Sequence, residues 1–124
     1  MDNLGNQIKL RNNPEHKFTE LLKKFLREKG WFVHHMPSSM YSMGWPDLFL
    51  LHPQLKCNKF VEVKSRVGKL RETQIKLFSQ MHSSGVNVYV LEGDDKTTVL
   101  DISKTVYSVL FGPPNWSFYI RGVR

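Results

Sequence analysis

The segment that most restricts the fold runs from Lys59 to Leu91. An apolar stretch, Lys59-Phe60-Val61-Glu62-Val63-Lys64, passes through a basic loop containing Gly68 into a helical pattern from about Leu70 to His82. Gly85 breaks that pattern, and Val86-Asn87-Val88-Tyr89-Val90-Leu91 follows as a second β-branched stretch. Two strands joined through a helix do not pair as a hairpin. They lie parallel with a right-handed crossover between them, so the sheet needs cover on both faces.

The residues before this unit extend the sheet. Asp47-Leu48-Phe49-Leu50-Leu51-His52 reads as a buried strand, and Pro53 to Asn58 turns it back antiparallel onto the strand at 59–64. Trp31-Phe32-Val33-His34-His35 is a shorter strand. Ahead of it, Asn13-Pro14-Glu15 has the form of a helix start: a capping Asn, Pro in the first turn and an acid beside it. Phe18, Leu21, Leu22, Phe25 and Leu26 then recur at helical spacing until Gly30. The order is α-β-β-β-α-β, an α/β domain with a mixed sheet flanked by helices. After Gly93-Asp94-Asp95 the pattern predicts a short strand near Val99–Ile102 and a helix over Ser103–Leu110, ended by Pro113-Pro114. The chain divides into a loose polar arm over 1–12, one domain over 13–111, and an aromatic and basic extension over 112–124. Trp116, Phe118 and Tyr119 in that extension need cover from the domain body or from a second subunit.

Composition removes several classes. A chain of 124 residues is one domain. The single cysteine, Cys57, excludes a disulfide framework and a cysteine-based zinc site. Apolar runs reach only Leu48–Leu51, far short of a membrane span, and the first residues carry no secretory pattern, so an intracellular protein is expected with no membrane partner. His34, His35, His52 and His82 show no metal-ligand spacing. Lys and Arg number 18 against 11 acids, a net charge of +7 that suits a polyanionic partner.

The hairpin carries the chemistry. With its turn centred between Gln54 and Leu55, Asp47 stands directly across from Glu62, and opposed residues have Cβ atoms about 4.5–5.5 Å apart. Two carboxylates that close repel, and a divalent cation between them removes the penalty. Lys64 lies two positions beyond Glu62, hence on the same face, where an ammonium approaches the attacking water or the scissile phosphate. Phe49, Leu51, Val61 and Val63 make these apolar strands, in which an unpaired charge is expensive.

Gly44-Trp45-Pro46-Asp47, followed after fifteen residues by Glu62-Val63-Lys64, resembles the signature of the PD-(D/E)XK nuclease superfamily, with the second half in its E-x-K form. Gly68-Lys69-Leu70-Arg71-Glu72-Thr73-Gln74 is similar to the glycine-to-glutamine segment of the VRR-NUC branch and its Holliday-junction-resolvase-like relatives. The αβββαβ order agrees with that restriction-endonuclease-like core. The resemblance spans about Asn13 to Glu92. It implies that Asp47 and Glu62 are metal ligands with the Val63 carbonyl as a third. It implies that Lys64 orients or deprotonates water, and that Gln74 sits near the site at the start of the second helix. Gln74 falls on the Leu70/Leu77/Phe78/Met81 stripe, where an amide needs a reason.

The resemblance also implies a further acid from the first helix. Glu15 stands in line with Phe18 and Leu22, whereas Glu20 lies on the opposite face, where an i,i+4 pair with Lys24 accounts for it. Glu15 is therefore the expected catalytic acid and additional metal ligand, and its presence favours two ions. The implied activity is Mg2+-dependent hydrolysis of DNA phosphodiester bonds, with Mn2+ as a substitute, giving 5′-phosphate and 3′-hydroxyl ends. Branched, flap or four-way-junction DNA is the expected substrate and a homodimer the expected assembly. A non-catalytic DNA-binding module on the same fold and an RNA-directed nuclease are the alternatives. Arg66, Lys69 and Arg71, with Lys64, put four cations into eight residues and are expected to contact phosphates. The loop from Pro37 to Trp45, with Met40, Tyr41 and Met43, either covers the site or wedges between bases.

Overall fold

The computed structural model describes residues 13–37 and 43–121. The proposed arm at 1–12, the loop residues Met40 and Tyr41, and residues 122–124 lie outside the described residues. Eight elements follow in order: α1 (Pro14–Glu28), β1 (Phe32–His35), β2 (Leu48–His52), β3 (Cys57–Lys64), α2 (Glu72–Ser83), β4 (Val88–Glu92), α3 (Val99–Leu110) and a 3-10 turn (Trp116–Tyr119). The four strands form one sheet in the order β1-β2-β3-β4. β1 with β2 and β2 with β3 are antiparallel; β3 with β4 is parallel, as a helical crossover requires.

Local chemistry sets the ends of these elements. Asn13 Oδ1 accepts from the N–H groups of Glu15 and His16 at 2.8 and 3.1 Å, so the α1 start is capped where Pro14 needs no donor. The β2–β3 turn is tighter than the sequence suggested. β3 already begins at Cys57, because Lys56 takes up a left-handed φ of 54° and completes the reversal. The expected strand over Val99–Ile102 is instead the first turn of α3. Thr98 caps that helix, its Oγ1 accepting from Asp101 N at 3.1 Å while Asp101 Oδ2 accepts from Thr98 N at 2.9 Å. A reciprocal capping box at Thr98 opens the helix there, one turn ahead of the expected start at Ser103.

Alternation along the strands sorts side chains to two faces. Leu48, Leu50, Val61, Val63, Tyr89 and Leu91 meet Phe18, Leu22, Phe25 and Leu26 of α1 and Ile102, Val106 and Leu110 of α3 in the larger core. Each fully buried Leu or Val there contributes on the order of 1.5–3 kcal/mol. The other face carries a smaller core in which Leu70, Phe78, Met81, Val88, Val90 and Tyr119 cluster under α2 and the 3-10 turn. Within the aromatic extension, Tyr119 is buried and Trp116 packs on Phe78, while Phe118 is exposed.

Each outer edge of the sheet is met at one residue by a side chain. On β4, Val90 N donates to Asn115 Oδ1 at 2.7 Å and Asn115 Nδ2 donates back to the Val90 carbonyl at 2.9 Å, so one side-chain amide imitates a neighbouring strand. On β1, Arg27 Nη2 donates to the Val33 carbonyl at 3.3 Å. Among the described residues no helix is long and apolar enough to cross a membrane.

Candidate active site

The site forms at the end of the sheet where β2 begins, β3 finishes and the first turns of α1 and α2 converge. Leu48 pairs with Val61, a register that places Asp47 opposite Glu62. Asp47 precedes the first regular residue of β2. It is fixed there by Val63, whose N–H donates to Asp47 Oδ2 at 2.8 Å, and by Met36, whose N–H donates to the Asp47 carbonyl at 2.7 Å. In an extended strand the N–H and C=O of one residue leave on the same edge, so the Val63 carbonyl faces the Asp47 side. Gly44 sets the approach. Its φ is 85°, and a Cβ there would stand 3.1 Å from the Thr73 carbonyl at the start of α2. Only glycine takes that backbone shape cheaply so close to another chain segment.

Glu62 is almost wholly buried. Its Oε2 accepts from Gln74 Nε2 at 2.8 Å and lies 3.4 Å from Lys64 Nζ. Gln74 is in turn held by Arg71, whose N–H donates to Gln74 Oε1 at 2.9 Å. The amide on the apolar stripe is thus a fully used bridge between the α2 start and the carboxylate. Glu62 Oε1, by contrast, is buried with no hydrogen-bond partner among the described residues. Burial, and after it the neighbouring Asp47 carboxylate, push the Glu62 pKa up to about 8, against the pull of Lys64 and Gln74. A divalent cation would satisfy the orphaned oxygen and remove the repulsion together, so hard oxygen ligands of this kind fit Mg2+ or Mn2+.

Glu15 reaches the same end of the sheet from α1. Its Oε2 accepts from Ser65 N at 3.1 Å, so it ties the loop after β3 to the first helix. Burial raises its pKa, opposed mainly by Lys64. Glu15 and Asp47 line the same cleft. Among the described residues no three His, Cys, Asp or Glu side chains are placed to hold one ion. Glu15 is held by Ser65, and the Asp47 carboxylate is close enough to push its pKa upward as well. Glu20 faces away as expected, but its partner is Lys23 at 2.9 Å and not Lys24.

A cleft of about 360 Å³ opens onto this constellation, lined by Glu15, Asp47, Arg71, His35 and Trp45 among others. The cation cluster divides around it. Arg71 lines the cleft and Lys69 is exposed nearby. Arg66 is bound up elsewhere, its Nε donating to Asp94 Oδ2 at 3.0 Å, because the chain after β4 returns beside the loop. His52 is structural: its Nε2 lies 2.9 Å from the Lys29 carbonyl and its Nδ1 accepts from Leu55 N. Burial first, and Lys23 next, lower the His35 pKa. Sequence reasoning missed the Ser65 N–H, the role of Gly44, and His35 in the cleft wall. Only Gly44, beside Trp45-Pro46-Asp47, carried a local signal.

A family model of the VRR-NUC domain matches residues 16–95. A solved structure of a VRR-NUC domain is similar to this chain at 26% identity with a TM-score of 0.59, over 75% of this chain and 97% of that one. No curated protein matches.

Proposed function

The chain belongs to the VRR-NUC family, and from that premise we propose that it is a metal-dependent DNA endonuclease acting on branched, flap or four-way-junction DNA. The observation that carries the reading is the buried Glu62 Oε1, without a hydrogen-bond partner among the described residues, in a carboxylate opposite Asp47 in register, with Lys64 Nζ 3.4 Å from the other oxygen of the same carboxylate.

Asp47, Glu62 and the Val63 carbonyl would hold Mg2+, or Mn2+ in its place. When bound, the ion polarises the phosphodiester and makes water a better nucleophile at neutral pH. Lys64 brings an ammonium on the Glu62 side chain's own face of β3. There it orients the attacking water and offsets charge that develops on phosphorus. Gln74 and Arg71 fix the Glu62 carboxylate, so little reorganisation is needed on the way to the transition state. Glu15 positions the loop after β3 through Ser65 and adds negative field beside the pair. Arg71 and Lys69 hold neighbouring phosphates by charge, which makes binding fall steeply with salt. A branched substrate needs two cuts and one subunit has one site, so a homodimer belongs to the proposal.

The test is cleavage of linear, flap, splayed and four-way-junction DNA, each with an RNA counterpart, in Mg2+ or Mn2+. Cleavage of the branched DNA forms, lost on chelation, is expected. Intact substrates throughout, or binding without cutting, would overturn the enzymatic reading. Cutting of RNA alone would move the substrate class.

A further inference from the structure

We propose that the open half of the α2-bearing sheet face is a stacking platform for the bases of an unpaired DNA strand. The proposal deepens the nuclease reading and rests on it. α2 and the 3-10 turn cover β3 and β4 on this face. From Phe60 of β3, half-buried at the edge of that core, a strip of large side chains runs over β2 and β1, and its outer members are open to water. Phe49 and Phe60 lie opposite in register with ring centroids 4.6 Å apart, and Trp45 stands 6.3 Å from Phe60. Leu51 and Phe32, opposite one another on β2 and β1, continue the strip away from the site. Phe32 is 67% exposed, Leu51 43% and Trp45 39%. Contiguous exposure of this kind on a small domain marks a binding surface.

The strip begins at the carboxylates. Trp45 shares the cleft wall with Asp47 and Arg71. Phe60 precedes Glu62 by two residues on the same face of β3, roughly 7 Å along the strand. A strand whose scissile phosphate lies at Asp47 and Glu62 therefore carries its adjoining bases over Phe60 and Trp45.

Three features favour a nucleic acid over a second copy of the chain. The part nearest the site is aromatic, and every base offers a π-face to such rings. No acidic residue among the described residues belongs to the strip, whereas the chain as a whole carries +7. The adjoining edge of β1 is guarded by Arg27, so extending the sheet into a neighbour would bring like charges together.

The experiment measures binding in Mg2+-free buffer with an Asp47→Asn background that cannot cut. The probes are a short thymidine oligonucleotide and an abasic oligonucleotide of equal length, which has the same phosphates and no bases. The thymidine probe is expected to bind roughly fivefold to a hundredfold more tightly. Trp45→Ala, at a half-exposed position, should bring that ratio close to one without changing affinity for the abasic probe. Phe60→Leu should act in the same direction, with thermal unfolding followed in both variants. Equal binding of the two probes, or a ratio untouched by Trp45→Ala, would overturn the platform. So would a dimer that Trp45→Ala converts to monomer while the ratio stands. Failure of the unsubstituted protein to cut any substrate would overturn the nuclease reading and leave the binding ratio to decide the platform separately.

Discussion

The two faces of the sheet are made from the same strands and differ in how they bury charge. On the α1/α3 face, fourteen apolar residues among those described are buried in one cluster, and half-buried Lys59 keeps its Nζ over the Tyr89 ring at 5.0 Å. On the α2 face, Glu62 and Gln74 are buried beside a cluster of six, and half of the face is open. The first face has everything that apolar burial can supply. The second keeps a carboxylate that burial opposes, and it exposes rings that a folding core would cover. Stability is concentrated on one side of a sheet only one residue thick, which leaves the other free to be strained and accessible.

That contrast can be broken at several places, and the largest effect falls on the charged side. Asp47→Ala and Lys64→Ala should each lower cleavage by on the order of 10²–10³-fold or more. Stability should move by only about 1 kcal/mol, the value of a bond such as Val63 N to Asp47. Cleavage rates and urea denaturation on the same samples give both numbers, and a variant that still cuts would remove its residue from the site.

Leu50 and Leu51 are neighbours in sequence and lie on opposite faces. Leu50→Ala should cost about 2–5 kcal/mol in chemical denaturation, as a buried leucine does. Leu51→Ala should stay within roughly 0.5 kcal/mol. Equal losses would mean that the open face is covered.

The third place is the acid itself. With its pKa pushed up to about 8, native Glu62 keeps a proton that the unfolded chain gives up near 4.5. Its stabilising contribution is complete below that lower value and is lost as pH rises through the upper one. Metal-free protein should therefore weaken between about pH 4.5 and 8. Glu15, also raised by burial, adds to the same trend. Glu62→Gln should flatten its share of the slope, and Mg2+ should restore stability most at the alkaline end. Thermal unfolding at several pH values checks both. The smallest effect belongs to Glu20, where an exposed pair with Lys23 is worth about 0.2–0.5 kcal/mol. Glu20→Gln should leave cleavage unchanged.

Much of this is legible in the sequence, because it rests on periodicity. The parallel unit from β3 to β4 and the hairpin before it follow from strand and helix spacing. Placing the turn between Gln54 and Leu55 was enough to set Asp47 against Glu62. The amide of Gln74, out of place on an apolar stripe, pointed to a buried partner, and Glu62 is that partner. What was not legible depends on segments far apart in the chain. Nothing local marks Ser65 as the partner of Glu15, or Asp94 as the anchor of Arg66. Val99 to Ile102 misled because so short a run rich in apolar residues fits a strand as well as the first turn of a capped helix, and the Thr98–Asp101 exchange decides between them.

The clamp of Asn115 on Val90 makes the order of synthesis matter. The two residues are 25 positions apart, and β4 is a central run of the smaller core. A chain leaving the ribosome presents β4 as a raw edge, with N–H and C=O groups ready to pair with any passing strand. It keeps that edge until Asn115 has also emerged and folded back. The few residues between α3 and the 3-10 turn thus act as a late seal, and a nascent or shortened chain that stops before them is adhesive in a way the finished domain is not.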